Sequence, residues 1–309
     1  MKRPKDRSLI LLSYITIYVV WGSTYFFIKM AVKSIPPLGV VGIRFLIGGF
    51  FFLLIAILTR RLSPPPTIKQ VGASILLGSL LLLGGNGLIS YAERQVDSYL
   101  VALIIASTPL VVAIFDRVLL QKRITSVRII GIILGEIGVA LLVYNGKSFI
   151  TSLNPEIAMV ILAILLWALA TTLGHKFNVY SDNLVNSGIQ MLFAGIVALS
   201  ASLVLGELSV NSPREITISS LLGLVYLTVI GSLAFSAYTY LLIHEPASRI
   251  VSYSLVNPVI AVILGFFLGN ETPVPYFAIG LPLILAGLLA LLYGETLLKK
   301  LKIVLSKKS

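Results

Sequence analysis

The chain has 309 residues, of which 57% are hydrophobic and only 12% are charged, and its mean hydropathy is +1.00. A soluble protein of this composition would lack a polar surface, so the chain is expected to lie in a lipid bilayer. Its net charge of +12 sits in short loops and tails, which argues against a nucleic-acid partner, and the absence of cysteine excludes disulfides and thiol nucleophiles.

Apolar runs of nearly bilayer length predict an all-α, polytopic protein with ten transmembrane helices. The basic start and first run look like a signal peptide, but Lys29 and Lys33 follow without a small-residue cleavage site, which favours an uncleaved first span. Short polar turns separate the spans and leave no room for a soluble domain. The predicted spans are Leu9–Ile28, Leu38–Leu58, Val71–Ser90, Tyr99–Phe115, Val127–Tyr144, Ile157–Leu173, Leu184–Leu205, Ser219–Leu242, Val251–Leu268 and Tyr276–Tyr293.

The positive charges predict the orientation of the bundle. With the amino terminus inside, most of the 24 lysines and arginines fall in inner loops and tails. Cytoplasmic segments of membrane proteins carry this excess of basic residues. We therefore expect a multi-pass protein of the cell inner membrane with both termini in the cytoplasm.

Residues 149 positions apart repeat across the two halves of the chain. The repeated pairs are Tyr91 and Tyr240, Pro109 and Pro258, Gly131 and Gly280, Gly138 and Gly287, and Tyr144 and Tyr293. The basic loop around Arg117, Lys122, Arg123 and Arg128 has no basic counterpart in the second half. Five spans per half would insert the halves in opposite directions, as in carriers that work by alternating access. Gene duplication for a stable bundle alone is the other explanation.

Several short motifs occur in order along nearly the whole chain. They are Trp21-Gly22-Ser23-Thr24-Tyr25, Pro36-Pro37, Gly42-Ile43-Arg44-Phe45, Gly85-Asn86-Gly87, Tyr91-Ala92-Glu93, Ser107-Thr108-Pro109-Leu110, Val256-Asn257-Pro258-Val259 and Leu268-Gly269-Asn270-Glu271. This series resembles EamA-type members of the drug/metabolite transporter superfamily, although Gln121-Lys122-Arg123 stands where the first repeat of that family commonly has Gly-Glu-Arg.

The resemblance implies a fold and a function. It implies two EamA repeats, residues 1–146 and residues 147–309 with a basic cytoplasmic tail, around a central cavity. The expected function is a secondary carrier that exports a small metabolite such as an amino acid or a drug-like compound. A membrane-embedded lipid-modifying enzyme and a channel are the alternatives; the spans lack convergent acid and base groups and a filter motif. We therefore expect no enzyme activity, no catalytic residues, no cofactor and no metal, with the substrate and the lipid bilayer as partners.

Aromatic residues are candidates for the wall of a binding site. Trp21 and Trp167 lie deep in corresponding spans, and Tyr25, Tyr238 and Tyr253 are predicted to join them around a substrate. Aromatic residues near span ends are ordinarily interfacial anchors, which is the competing interpretation.

Two asparagines and two prolines are candidates for the same site. Asn86, among glycines, is predicted either to bind substrate or to bond a neighbouring helix. Pro109 and Pro258 each remove a backbone donor within a span and are predicted to kink their helices toward the cavity, with Asn257 beside the second kink. A purely structural kink is the alternative.

Three charged residues have candidate charge or proton roles. Arg44, well inside the second span, is predicted to bind a substrate carboxylate, to reach the outer surface, or to pair with Glu93. Glu93 and Arg94 are predicted to gate the cavity mouth or to form a solvated pair. Glu136, in the fifth span, is a candidate proton-coupling site, but the resemblance places that helix away from the cavity and favours a neutral, hydrogen-bonded state. Protons are thus a candidate coupling ion.

Overall fold

The computed structural model describes residues 7–121, 125–144, 154–207, 215–245 and 247–306. Within these ranges the chain is helical and has no β-strand, which confirms the all-α prediction. Several sequence-based predictions fall outside the described residues. These are the repeat boundary at 146/147, the Lys122 and Arg123 part of the basic loop, and both chain ends.

Seven helices of the described chain are long and apolar enough to cross a membrane. The number of ten crossings stays a prediction. The seven are α1 (Arg7–Val32), α2 (Pro37–Leu58), α3 (Ile68–Ala92), α4 (Ser98–Leu120), α6 (Pro155–Leu173), α7 (Asn183–Val204) and α8 (Ile218–His244). Three further helices are α5 (Ser126–Val143), α9 (Asn257–Phe267) and α10 (Phe277–Ser306).

Polar residues in the turns fix where several helices begin. Thr67 forms a capping box with Gln70 at the start of α3. Asn154 accepts a hydrogen bond from the Ile157 amide at 2.8 Å at the start of α6, and Asp182 caps α7 in the same way. These side chains satisfy the first amide groups, which have no partner inside the helix.

Glycines allow α2 and α7 to pack against each other at backbone distance. A Cβ atom at Gly42 would lie 2.8 Å from the Leu199 amide nitrogen, and one at Gly195 would collide with the backbone of Leu46. Gly42 of α2 contacts Leu199 of α7, whereas Leu46 contacts Gly195. The two helices are therefore antiparallel. Small residues permit this close approach between helices in membranes, where van der Waals packing contributes much of the association.

The pair formed by α5 and α10 uses the repeated glycines. A Cβ atom at Gly131 would lie 2.7 Å from the Gly287 carbonyl oxygen, and one at Gly138 would lie 2.8 Å from the Gly280 carbonyl oxygen. These helices are also antiparallel. All four glycines that the 149-residue offset relates therefore lie in one helix interface, where Gly131 faces Gly287 and Gly138 faces Gly280.

Several of the helices that surround the centre of the bundle are irregular. A π-helical segment, Ser79–Gly87, lies within α3, and Leu227–Gly231 forms another within α8. The helix α4 is interrupted between Ile105 and Thr108, and a 3₁₀ segment, Val251–Leu255, precedes α9. Such departures from α-helix geometry occur often at functional sites.

The prolines differ from the prediction in their local geometry. The sequence predicted kinks within continuous spans, whereas Pro109 and Pro258 each lie in the first turn of a helix that restarts after a break. A first-turn position explains their tolerance, since the amide that proline lacks would have no helical partner there.

Replacing Gly195 with valine should destabilise the protein by about 1–3 kcal/mol, because the side chain would overpack the α2–α7 interface. Gly72 provides the matched control, since a Cβ atom there meets no atom within 4 Å. Thermal unfolding of the purified protein in detergent measures the effect. Equal melting temperatures for the two valine variants would contradict the role of the glycine contact.

Candidate functional site

A central cavity of about 60 Å³ lies among α1, α2, α3, α4, α6 and α8 and the 3₁₀ segment before α9. Most of its wall is apolar or aromatic. The side chains in the wall that carry polar groups include Thr24, Arg44, Asn86 and Thr108, together with the tyrosines Tyr25 and Tyr253. Apolar walls with a few polar groups are typical of small-molecule sites.

Trp21 is the centre of an aromatic cluster on one side of this cavity. Its ring centroid lies 5.4 Å from that of Trp167, 4.7 Å from Tyr238 and 5.0 Å from Tyr253. Trp21, Trp167 and Tyr253 line the cavity, whereas Tyr238 is fully buried behind them. The Tyr238 hydroxyl is 2.6 Å from the Thr171 hydroxyl, which anchors the cluster to α6.

Arg44 and Asn86 form the polar side of the cavity. The Arg44 Nη2 atom donates to the Asn86 Oδ1 atom at 2.7 Å, and the guanidinium lies 4.2 Å from the Phe45 ring centroid. Asn86 belongs to the π-helical segment of α3, so this bond joins α2 to α3. Asn86 thus forms a hydrogen bond to a neighbouring helix, as one hypothesis predicted. It also lines the cavity, as the hypothesis of substrate binding requires.

The remaining predicted residues lie at or near the cavity. Tyr25 lines it, while Asn257, Pro109 and Pro258 are buried outside its wall. With its amide nitrogen facing two carbonyl oxygens, Asn257 donates to Tyr18 at 3.0 Å and to Tyr253 at 3.2 Å. Asn257 therefore joins α1 to the turn before α9.

Glu93 directly follows α3 and is fully buried, outside the lining of the cavity. Neither of its carboxylate oxygens has a hydrogen-bond partner among the described residues. Nearby, the Lys29 Nζ atom donates to the Val96 carbonyl at 2.7 Å and lies 3.9 Å from the Asp97 carboxylate. Burial raises the pKa of Asp97, and the charge of Glu271 adds to the effect while Lys29 opposes it.

Glu136 stands apart from this group. Its side chain is exposed on α5 and does not line the central cavity. Several lining residues were absent from the sequence-based set, among them Thr24, Phe45 and Phe235. Thr24 and Phe45 lie inside two of the motifs that resemble the EamA family, and this position could have identified them as site candidates. Phe235 has no such signal, because it is one apolar residue among many in α8.

Glu271 has a structural role that the sequence did not indicate. Its carboxylate accepts hydrogen bonds from the Ser98 amide at 2.9 Å, the Ser98 hydroxyl at 2.7 Å and the Tyr99 amide at 3.1 Å. The connection between α9 and α10 thereby caps the first turn of α4. A carboxylate at a helix amino terminus is stabilised by the helix dipole.

A second cavity, of about 290 Å³, lies beside the connection between α6 and α7. Its polar lining consists of uncharged groups, including Gln70, Asn186, Gln190 and Thr239, and no described lining residue is charged. The Gln190 Nε2 atom donates to the Asn186 Oδ1 atom at 3.0 Å, as does the Ser74 hydroxyl at 2.8 Å. None of the predicted site residues lines this second cavity.

Comparison with protein families gives a match to the EamA-like transporter family over residues 8–144 and 154–293. The chain is 35% identical over 259 residues to the uncharacterised inner membrane transporter YedA of Escherichia coli strain K12, which covers 83% of this chain and 81% of that protein. It is 25% identical over 290 residues to the uncharacterised transporter YvbV of Bacillus subtilis strain 168, covering 92% and 91%.

A solved crystal structure shares the fold. It superposes with a TM-score of 0.65 at 16% sequence identity, covering 92% of this chain and 96% of the other. At that identity the likeness shows the fold alone.

Replacing Glu271 with glutamine should lower the stability by about 0.5–2 kcal/mol, because the charge at the start of α4 is lost while the shape is kept. Thermal unfolding in detergent measures the change. Glu215→Gln is the control, since Glu215 is exposed. A melting temperature of the Glu271 variant equal to that of the control would contradict the capping role.

Proposed function

Because this chain belongs to the EamA-like transporter family, we propose that it is a secondary carrier that exports a small metabolite by alternating access. The family and the Escherichia coli and Bacillus subtilis relatives are named as transporters, so the family resemblance and the prediction of a non-enzyme are confirmed. We propose an amino acid or a drug-like compound as the substrate. The proposed location is the cell inner membrane, in line with the name of the Escherichia coli relative.

The aromatic central cavity is the observation that carries this proposal. Trp21, Trp167 and Tyr253 offer flat apolar surfaces, and Arg44 and Asn86 offer hydrogen-bond donors and acceptors within the same space. Small-molecule sites commonly enclose at least about 300 Å³. The cavity of about 60 Å³ must therefore widen before a metabolite can enter. Rearrangement of the surrounding helices during alternating access would provide that volume.

The proposal of two inverted halves, residues 1–146 and 147–309, is supported by the helix pairs. A twofold axis in the membrane plane would place corresponding helices antiparallel, and α2 with α7 and α5 with α10 are arranged in this way. Around such an axis contacts are exchanged. Gly131 meets Gly287 while their repeat partners, Gly280 and Gly138, meet each other.

The helix irregularities support the same arrangement. The π-helical segments lie in α3 and α8, and the proline-associated breaks lie in α4 and before α9. These are corresponding elements of the two proposed halves. With ten crossings, the basic loops and tails favour a cytoplasmic position for both termini.

Glu93 is our proposed proton-coupling residue. It is a fully buried carboxyl group whose oxygens have no hydrogen-bond partner among the described residues. The charged and titratable groups that act on it are Lys29, Glu271 and Arg44, and Glu93 in turn acts on Tyr25, which lines the cavity. Ionisable groups within membrane bundles commonly serve proton relays. Glu136 is less suited, because it lies outside the cavity on an exposed helix face.

Alanine at Trp21, Asn86 or Trp167 should reduce transport at least about tenfold, which corresponds to ~1.4 kcal/mol of lost transition-state stabilisation. Membrane insertion should be unaffected. A metabolite screen in proteoliposomes at two pH values identifies a transported compound, and its initial rate is then measured for each variant. Phe50→Ala is the control, because Phe50 is exposed on the outer face of α2. Wild-type rates in all three cavity variants would refute the assignment of the cavity as the site.

Replacing Glu93 with glutamine should abolish substrate accumulation driven by a pH gradient but leave substrate exchange between equal pH values intact. Glutamine keeps the size of the side chain and cannot exchange a proton. Both activities should persist in the Glu136→Gln control. Gradient-driven accumulation in the Glu93 variant at the wild-type level would show that the coupling proton does not bind at Glu93.

A further inference from the structure

Arg44 is a buried cation that forms no salt bridge with any residue the structure describes. It is only 3% exposed, so its guanidinium does not reach the surface of the bundle. Its hydrogen-bond partner in the described part of the chain is a neutral amide, Asn86, and its Nε atom has none. Burying a charge without a countercharge is costly, whether the burial is in protein or in lipid.

Glu93 does not supply that countercharge by direct contact. Its charge is near enough to act on Arg44, but no salt bridge joins the two among the described residues, and both Glu93 oxygens lack hydrogen-bond partners. Two of the three sequence-based interpretations of Arg44, surface contact and pairing with Glu93, therefore lack support in this geometry. The third interpretation needs a negative group from outside the protein.

The position of Arg44 makes such a group accessible. Arg44 and the aromatic residues Trp21 and Trp167 line the same cavity, so one small molecule that occupies the widened cavity can contact all three. A guanidinium presents planar, paired N–H donors that match a carboxylate. The aromatic rings match an apolar body of the same molecule.

Resting on the proposed carrier function, we propose that the substrate is a carboxylate with an aromatic or apolar body. Its carboxylate binds the Arg44 guanidinium beside Asn86, and its body lies against Trp21 and Trp167. The substrate thus neutralises a charge that no described residue neutralises by contact. Arg44 becomes the residue that determines specificity for a negatively charged head group.

The two tryptophans provide a direct test, because the chain has only 2 tryptophans and both line this cavity. Intrinsic tryptophan fluorescence of the purified full chain is titrated with 3-phenylpropionate, 3-phenylpropan-1-ol and 3-phenylpropylamine. These probes share one body and carry a negative, a neutral and a positive head group. We expect saturable binding with the carboxylate at least about tenfold tighter than the alcohol, and with the amine weakest.

Arg44 variants then locate the preference. Arg44→Gln should abolish the preference for the carboxylate over the alcohol, and Arg44→Lys should retain part of it. Glu215→Gln, at an exposed residue that does not line the cavity, should leave the preference in place. Melting temperatures check that each variant is folded. The comparison of the three head groups in the wild-type protein tests the proposal even if a variant does not fold.

Three results would overturn the carboxylate proposal: equal affinity for the three probes, tighter binding of the amine, or no saturable change with any probe. An unchanged preference in folded Arg44→Gln would do the same. Failure of the carrier function is distinguishable from these results. If the protein binds the carboxylate but moves no compound into proteoliposomes, the carrier function is refuted and the binding preference stands. If it transports only amines or alcohols, the carrier function stands and the carboxylate proposal is refuted.

Discussion

The need to satisfy every backbone N–H and C=O group without water is the constraint on which this structure depends. In a bilayer that need is met by helices, and irregular backbone is tolerated only where protein or a cavity surrounds it. The π-helical segments of α3 and α8 and the breaks in α4 and before α9 all lie toward the centre of the bundle. The requirement that keeps the outer helices regular thus concentrates irregularity around the site.

Close glycine packing complements those irregular helices. The α2–α7 and α5–α10 pairs meet at backbone distance, so their relative positions are fixed by excluded volume. Among the helices around the cavity, α4 and the segment before α9 have breaks, where a change in backbone angles costs fewer hydrogen bonds. A carrier of this design would keep the tight pairs as scaffolds and rearrange the broken helices. Glu271, which caps α4 from the α9–α10 connection, links these two broken elements directly.

Charge within the bundle is distributed unevenly. Arg44 faces the cavity with a neutral partner, while Glu93 is buried beyond the cavity wall. The two groups lie near enough to influence each other without forming a salt bridge. Because the two groups are separate, our proposals assign them different tasks: Arg44 binds the head group of the substrate, and Glu93 binds a proton. Asn86 supports the first task because it holds the guanidinium at the cavity.

The sequence by itself determined the helical class, the membrane location of the chain and the family, because composition, hydrophobic run length and ordered motifs are local properties. It also selected Trp21, Trp167 and Asn86, since polar or bulky aromatic residues deep in a span are exceptional. The tertiary structure alone decided that Asn257 joins helices instead of facing the cavity, that Glu136 lies outside it, and that Glu271 caps a helix 173 positions away. Such contacts depend on helix rotation and on the pairing of distant segments. Neither can be read from a periodic pattern, since a span that is apolar on all sides carries almost no information about the face it turns inward.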